Sequence, residues 1–149
     1  MQVHSTFIAS VPDPSKAPFT VTPEEIREFA DAIGAPDPAY RDSKVARSMG
    51  HPDIIAPPTF IMALVIPELE RLLASFDIPR SQIMQAKQHT SYDRPIHAGH
   101  ELTVSTKVKR LAVVKPREVL ILRCTLSDRD GSRVARSTSA VMIIPPEGK

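Results

Sequence analysis

The sequence predicts an α+β domain: a helical first half followed by a meander of long antiparallel strands. Three observations carry this. Between Thr22 and Leu73 apolar residues recur at helical spacing behind helix-start signals. From about Ile83 onward they alternate with polar residues, as on half-buried strands. The two patterns are segregated along the chain and not interleaved, which separates α+β from a parallel α/β arrangement.

The elements follow in order. Met1 to Ala17 reads as an irregular arm, with a short edge strand at Thr6 to Ala9, and Phe19-Thr20-Val21 as a second short strand. Thr22-Pro23-Glu24-Glu25 is a helix start: Thr22 caps, Pro23 suits the first helical position and Glu25 closes a capping box. Ile26, Phe29, Ala30 and Ile33 then share one face, and Gly34 supplies the stop. Asp37-Pro38 marks a turn, and Ser43 to Met49 a short helix ended by Gly50. After an extended stretch from His51 to Ala56, Pro57-Pro58-Thr59 opens a third helix. Phe60 to Ile66 is apolar all round, which predicts burial on most sides, and Pro67 is expected to kink or restart that helix. Beyond it Leu69, Leu72 and Leu73 face inward.

In the second half Thr90-Ser91-Tyr92 ends a strand before the Arg94-Pro95 turn. Leu102, Val104, Thr106 and Val108 mark the next strand, and Leu120, Leu122, Cys124 and Leu126 the one after. Asp128-Arg129-Asp130-Gly131 is a hairpin turn, and Arg133 to Ile144 the last strand. The expected division is an arm over 1–17, one domain over 18–145 and a tail over 146–149. A single sheet of this kind leaves an exposed edge, which pairing with a second chain would cover.

Composition narrows the function classes. The chain has 149 residues, 42% hydrophobic and 24% charged, with a net charge of +2. That balance, with no tryptophan and 5% aromatics, gives nucleic acid little to bind. The 15 prolines fall at segment edges and read as stiffened loops. Cys124 is the single cysteine, so no internal disulfide forms and a reducing compartment is expected. The opening residues lack the pattern of a signal peptide. The stretch from Phe60 to Ile66 is far shorter than the ~20 residues of a membrane span. The expectation is a soluble cytoplasmic protein.

Four strings then carry a resemblance. Ile26-Arg27-Glu28-Phe29-Ala30 through Ala32-Ile33-Gly34 comes first, then Asp37-Pro38-Ala39-Tyr40, Ile55-Ala56-Pro57-Pro58-Thr59-Phe60 and Tyr92-x-Arg94-Pro95-Ile96-x-Ala98-Gly99. Together, over roughly Pro18 to Ile144, they resemble the N-terminal type of MaoC-like dehydratase domain (FAS1-like dehydratase). The chain looks most like the small actinobacterial proteins that include non-catalytic subunits of heterodimeric (3R)-hydroxyacyl-thioester dehydratases. The resemblance implies a hot-dog fold, in which a long antiparallel sheet wraps a central helix and two units sit side by side. It implies an acyl thioester of coenzyme A or acyl carrier protein lying in a tunnel near the dimer interface, and no metal or organic cofactor.

Catalytic members of that family use an Asp and a His five residues apart after the first helix, and a backbone N–H at the start of the central helix to steady the enolate oxygen. Here the Asp position falls on Ala35, the His position on Tyr40 and the N–H position on Pro58, which has no N–H to give. A tyrosine, with a pKa near ~10, is a poor base at neutral pH. The resemblance places Tyr40, Pro57, Pro58, Thr59 and Phe60 at the substrate.

Other candidates have plainer accounts beside the functional one. Tyr40 reads equally as tunnel-facing or as a packed loop residue. His51 and Asp53, two apart in an extended segment, point the same way and form a replacement dyad on paper; a surface turn around Pro52 is the simpler reading. His97 and His100 have a metal-like spacing without a third ligand, and an Asp often occupies the His100 position in the family. Cys124 fits the core, and Ser91, Ser137 and Ser139 have no base beside them. Lys107, Lys109, Arg110, Lys115, Arg117 and Arg123 read first as a solvated sheet face, and second as a site for phosphate. The expected role is therefore a substrate-binding, non-catalytic subunit of a heteromeric dehydratase. The rivals are a stand-alone homodimeric hydratase or thioesterase using His51, Asp53 or Tyr40, and an acyl-thioester binding protein.

Overall fold

The structure, a computed structural model, describes residues 18–114 and 117–145. The arm with its expected strand at Thr6 to Ala9, the tail and Lys115 lie outside the described residues. The elements are β1 (Phe19–Thr20), α1 (Pro23–Ala32), α2 (Ser43–Ser48), α3 (Ile61–Ala74), β2 (Ile83–Tyr92), β3 (Glu101–Val114), β4 (Arg117–Ser127) and β5 (Arg133–Ile143), with single 3-10 turns at Pro38–Tyr40, Pro58–Phe60 and Arg80–Gln82.

Local chemistry accounts for the helix ends. The Thr22 hydroxyl accepts from the Glu25 amide at 3.2 Å, and the Glu25 carboxylate accepts from the Thr22 amide at 3.0 Å, closing the capping box. Gly34 stops α1 at φ +67°, where a Cβ would be strained. Asp42 caps α2 by accepting from the Lys44 amide at 2.8 Å. Ile26 and Ala30 are buried as the spacing predicts, but Ile33 is 49% exposed because it lies at the helix cap, where the chain turns away from the core.

Two expectations for α3 are narrowed. Of the kink or restart expected at Pro67 the restart does not occur: the helix is continuous over Ile61–Ala74 with Pro67 inside it. Pro67 sits on the exposed side with Ala63 one turn earlier, where water can take the hydrogen bond that proline cannot make. The run from Phe60 to Ile66 is also not buried on most sides: Phe60, Ile61 and Val65 are, while Ala63 is exposed and Ile66 is 38% exposed. The buried stripe continues through Leu69, Leu72 and Leu73 onto the sheet.

The sheet is wholly antiparallel, in the order β1-β3-β4-β5-β2. Leu120, Leu122, Cys124 and Leu126 of β4, with Val141 and Ile143 of β5 and Leu102 and Val108 of β3, face α3 and form the core. Bulges at Gln85/Lys87, Val108/Arg110 and Leu126/Ser127 bend the long strands around the helix. The β4–β5 turn closes as expected: the Gly131 amide donates to the Asp128 carbonyl at 2.9 Å, with Gly131 at φ +84°. Strand β2 is paired only on its β5 side, so its far edge is open among the described residues.

Candidate functional site

Three segments meet at the start of α3. The first is the loop after α1, from Ala35 to Tyr40, the stretch in which the resemblance places the catalytic pair. Arg41 holds it: its guanidinium donates to the Ala35 carbonyl at 2.6 Å and pairs with Asp31 at 2.7 Å, while the Arg27 side chain donates to the Arg41 carbonyl at 3.2 Å. Asp37 caps the 3-10 turn by accepting from the Ala39 amide at 2.9 Å. The second segment, Ile54 to Ala56, is tied to the loop by Ile55 N–H to the Ala39 carbonyl at 3.1 Å. It is tied to the third, Tyr92 to His100, by Ala56 N–H to Ile96 at 2.7 Å and Ala98 N–H to Ile54 at 2.9 Å.

Between them lies a cavity of about 340 Å³, whose wall includes Tyr40, Ile55, Pro58, Tyr92, Arg94 and Ile96. It is mainly apolar, as a site for an acyl chain should be. The Tyr92 hydroxyl, on the inward phase of β2, donates to the Pro58 carbonyl. Burial pushes its pKa up to about 12, against a smaller opposite pull from the Ile61 backbone. Because residues 57 and 58 are both prolines, the first amide of this turn belongs to Thr59.

Asp93, also on the cavity wall, gives both carboxylate oxygens to Arg133, at 2.6 and 3.1 Å. That contact lowers its pKa, so it is a weak base. Arg94 is likewise engaged, donating to Asp128 at 2.9 Å, to the Ser132 hydroxyl at 2.8 Å and to the Arg133 carbonyl at 3.2 Å. Among the described residues the wall therefore offers a hydrophobic slot, two phenols and a committed ion-pair network, with no imidazole.

Behind the wall, His100 is 4% exposed and its ring stacks on His97 with centroids 3.9 Å apart. His100 Nδ1 accepts from the His97 amide at 3.3 Å, so Nε2 carries the proton toward Asp128 at 3.2 Å. The neutral ring is thus satisfied at both nitrogens. Burial, seconded by His97, holds the His100 pKa below its ordinary range, although Asp128 pulls the other way. Arg94 and neighbouring hydrogen bonds hold the Asp128 carboxyl down at about 2. Among the described residues no group of three His, Cys, Asp or Glu side chains is placed to hold a metal ion.

The structure brings Tyr40 and Pro58 to one cavity, and separates the other candidates from it. Phe60 is buried edge-on against Phe29 at 5.4 Å and lines a different cavity, between α1 and α3. Pro57 is buried and Thr59 exposed at the helix entry. Asp53 accepts from the Ile54 amide at 2.7 Å and lies 3.8 Å from Arg47. His51 is half-buried beside it, and no hydrogen bond joins the two among the described residues. Cys124 is buried beside Thr106 at 3.4 Å. Residue reasoning missed Tyr92 and Arg94 as part of the wall; the available signal was the inward phase of Tyr92 and its place in the Tyr92-x-Arg94-Pro95 string.

A curled antiparallel sheet around one long helix, with an apolar slot at the helix entry, defines a hot-dog domain. Residues 12–137 match the FAS1-like dehydratase domain region, and the chain belongs to that family. It is similar to a MaoC-like dehydratase of known structure (TM-score 0.82, 26% identity over 87% of this chain), of whose length it spans 40%. It shares the fold of the HadBC (3R)-hydroxyacyl-ACP dehydratase complex of Mycobacterium tuberculosis, at TM-score 0.79 and 24% identity, covering 89% of this chain and 92% of that one. Its relatives include UPF0336 proteins of Streptomyces coelicolor, 35% identical over 123 residues (81% of this chain, 82% of that protein), and of Clavibacter michiganensis, 34% identical over 132 residues (87% and 89%). No helix among the described residues is long and apolar enough to cross a membrane.

Proposed function

We propose that this chain is the substrate-binding, non-catalytic subunit of a cytoplasmic heteromeric (3R)-hydroxyacyl-thioester dehydratase. It shapes the acyl slot while a second hot-dog chain supplies the Asp–His pair. One observation carries the reading: the slot is built, but among the described residues its wall holds no imidazole, and its one carboxylate, Asp93, is held by Arg133. Adding water across C2–C3 of an enoyl thioester needs a base for the water and an acid for C2. Burial pushes the Tyr92 phenol up to about 12, Arg133 holds the Asp93 carboxyl down, and Ala35 carries nothing. The open edge of β2, with Met84 48% exposed beside it, and the exposed Ile66 on α3 favour pairing along that edge. Two neighbours in fold, HadBC and ChsH1–ChsH2, are two-chain complexes, which supports the same assembly here.

Hydration of trans-2-enoyl-coenzyme A by the purified chain tests this. The expected result is no turnover, together with saturable binding of a non-hydrolysable acyl-coenzyme A thioether. Turnover at ordinary enzymatic rates, on the order of 1–1000 per second, overturns the subunit reading and returns attention to His51, Asp53 and Tyr40.

A further inference from the structure

The outward face of the sheet, opposite α3, carries a feature the acyl slot does not use. Strand register places Lys107 opposite Arg123, and Arg123 opposite Thr138, which faces His89. In the row on one side, Arg136 lies between Thr125 and Ser91; in the row on the other, Arg110 and Lys87 flank Ile121 and Ala140. All point away from the buried phase of their strands. Among the described residues no carboxylate pairs with Lys87, Lys107, Arg110, Arg123 or Arg136. The carboxylates at the two ends, Asp93 and Glu101, are engaged by Arg133 at 2.6 Å and Arg129 at 3.7 Å. The Nε groups of Arg123 and Arg136 are buried with no hydrogen-bond partner.

Like charges directly opposite on paired strands are destabilising, so the Lys107–Arg123 pair is a cost with no internal compensation. A second copy cannot relieve it face to face, because that would set cations against cations. Among the described residues His89 is the single ring on this face, with no outward Phe, Tyr or Trp to make a stacking platform for bases. What fits is a row of carboxylates. Adjacent strands lie about 4.8 Å apart, and residues three or four apart on a helix about 5–6 Å apart. A helix lying across the strands therefore presents acidic side chains at nearly the spacing of these cations.

We propose that this outward sheet face docks an acidic helix of a partner protein, through Lys107, Arg110, Arg123 and Arg136. The proposal does not depend on the chain being catalytic or on the acyl slot.

The test is a titration of the isotope-labelled full chain with a stapled helical peptide bearing glutamates along one face, and with its glutamine twin. Expected are amide shifts confined to β3, β4 and β5, and binding weakened about tenfold or more as salt rises from about 50 to about 500 mM. Arg123→Gln with Arg136→Gln should weaken binding about tenfold while the melting curve stays cooperative. Equal binding of the glutamine twin, shifts centred on the acyl slot, or an unaffected double variant overturns the proposal. So does tighter binding of a short DNA duplex or heparin than of the glutamate peptide.

Discussion

Tyr92 joins two parts of the site through one hydroxyl, tying the end of β2 to the entry of α3. Tyr92→Phe should cost about 0.5–1.5 kcal/mol in a urea titration, because it strands the Pro58 carbonyl; an unchanged midpoint would show that water replaces the phenol. Pro58 makes a sharper case. Restoring the acid and base with Ala35→Asp and Tyr40→His should still give little hydration, since residue 58 has no amide to steady the enolate oxygen. Adding Pro58→Gly should raise turnover about 10²–10³-fold over the double variant, the usual worth of one oxyanion donor. Equal rates in the two would remove residue 58 from the argument. His100 sets a pH dependence. Its folded pKa lies below its unfolded value of 6.5, so the unfolded chain binds the proton more readily and stability falls as pH drops through and beneath that value. Asp128 acts lower: its contribution is intact above its unfolded value of 3.8 and is lost as pH falls toward about 2. The denaturation midpoint should therefore drop between about pH 7 and pH 5, and the drop should shrink in His100→Asn; an identical slope in the variant would assign it to other groups.

Individual elements show how far the sequence could be read. The ends of α1 and α2 were legible because capping is local: Thr22, Glu25, Gly34 and Asp42 act within a few residues of themselves. Strand phases were legible because burial alternates every second residue, as at Leu120, Leu122, Cys124 and Leu126. The exposed side of α3 was not, since hydropathy cannot tell a residue buried in its own domain from one such as Ile66 left at the surface. Nor was the Lys107–Arg123 register, which depends on a bulge at Val108/Arg110 and on pairing between separate strands. That register yields its own expectation. Lys107→Glu should turn a repulsive cross-strand pair into an attractive one and stabilise the fold by about 0.2–1 kcal/mol. A lower melting temperature would mean that Lys107 packs in a way its charge does not reveal.

At the scale of the whole molecule, the strand order β1-β3-β4-β5-β2 brings together residues far apart in sequence, and no local pattern announces it. The slot at the entry of α3 is a product of that order: it needs the loop after α1, the Ile54–Ala56 segment and the end of β2 in one place. The resemblance supplied the missing Asp and His positions, but only the assembled wall shows Asp93 and Arg94 already committed to Arg133 and Asp128.

The cations of the outward sheet face have a counterpart. Residues 18–77 hold ten Asp and Glu against five Lys and Arg, and residues 78–145 hold twelve Lys and Arg against five Asp and Glu. From far away the protein is nearly neutral; within a Debye length, about 8 Å at physiological salt, it is strongly polar. A partner of either sign is then turned during approach, before any contact forms, and arrives already facing the half it can use. Encounter rates, as well as final affinity, should carry that signature and fall with added salt.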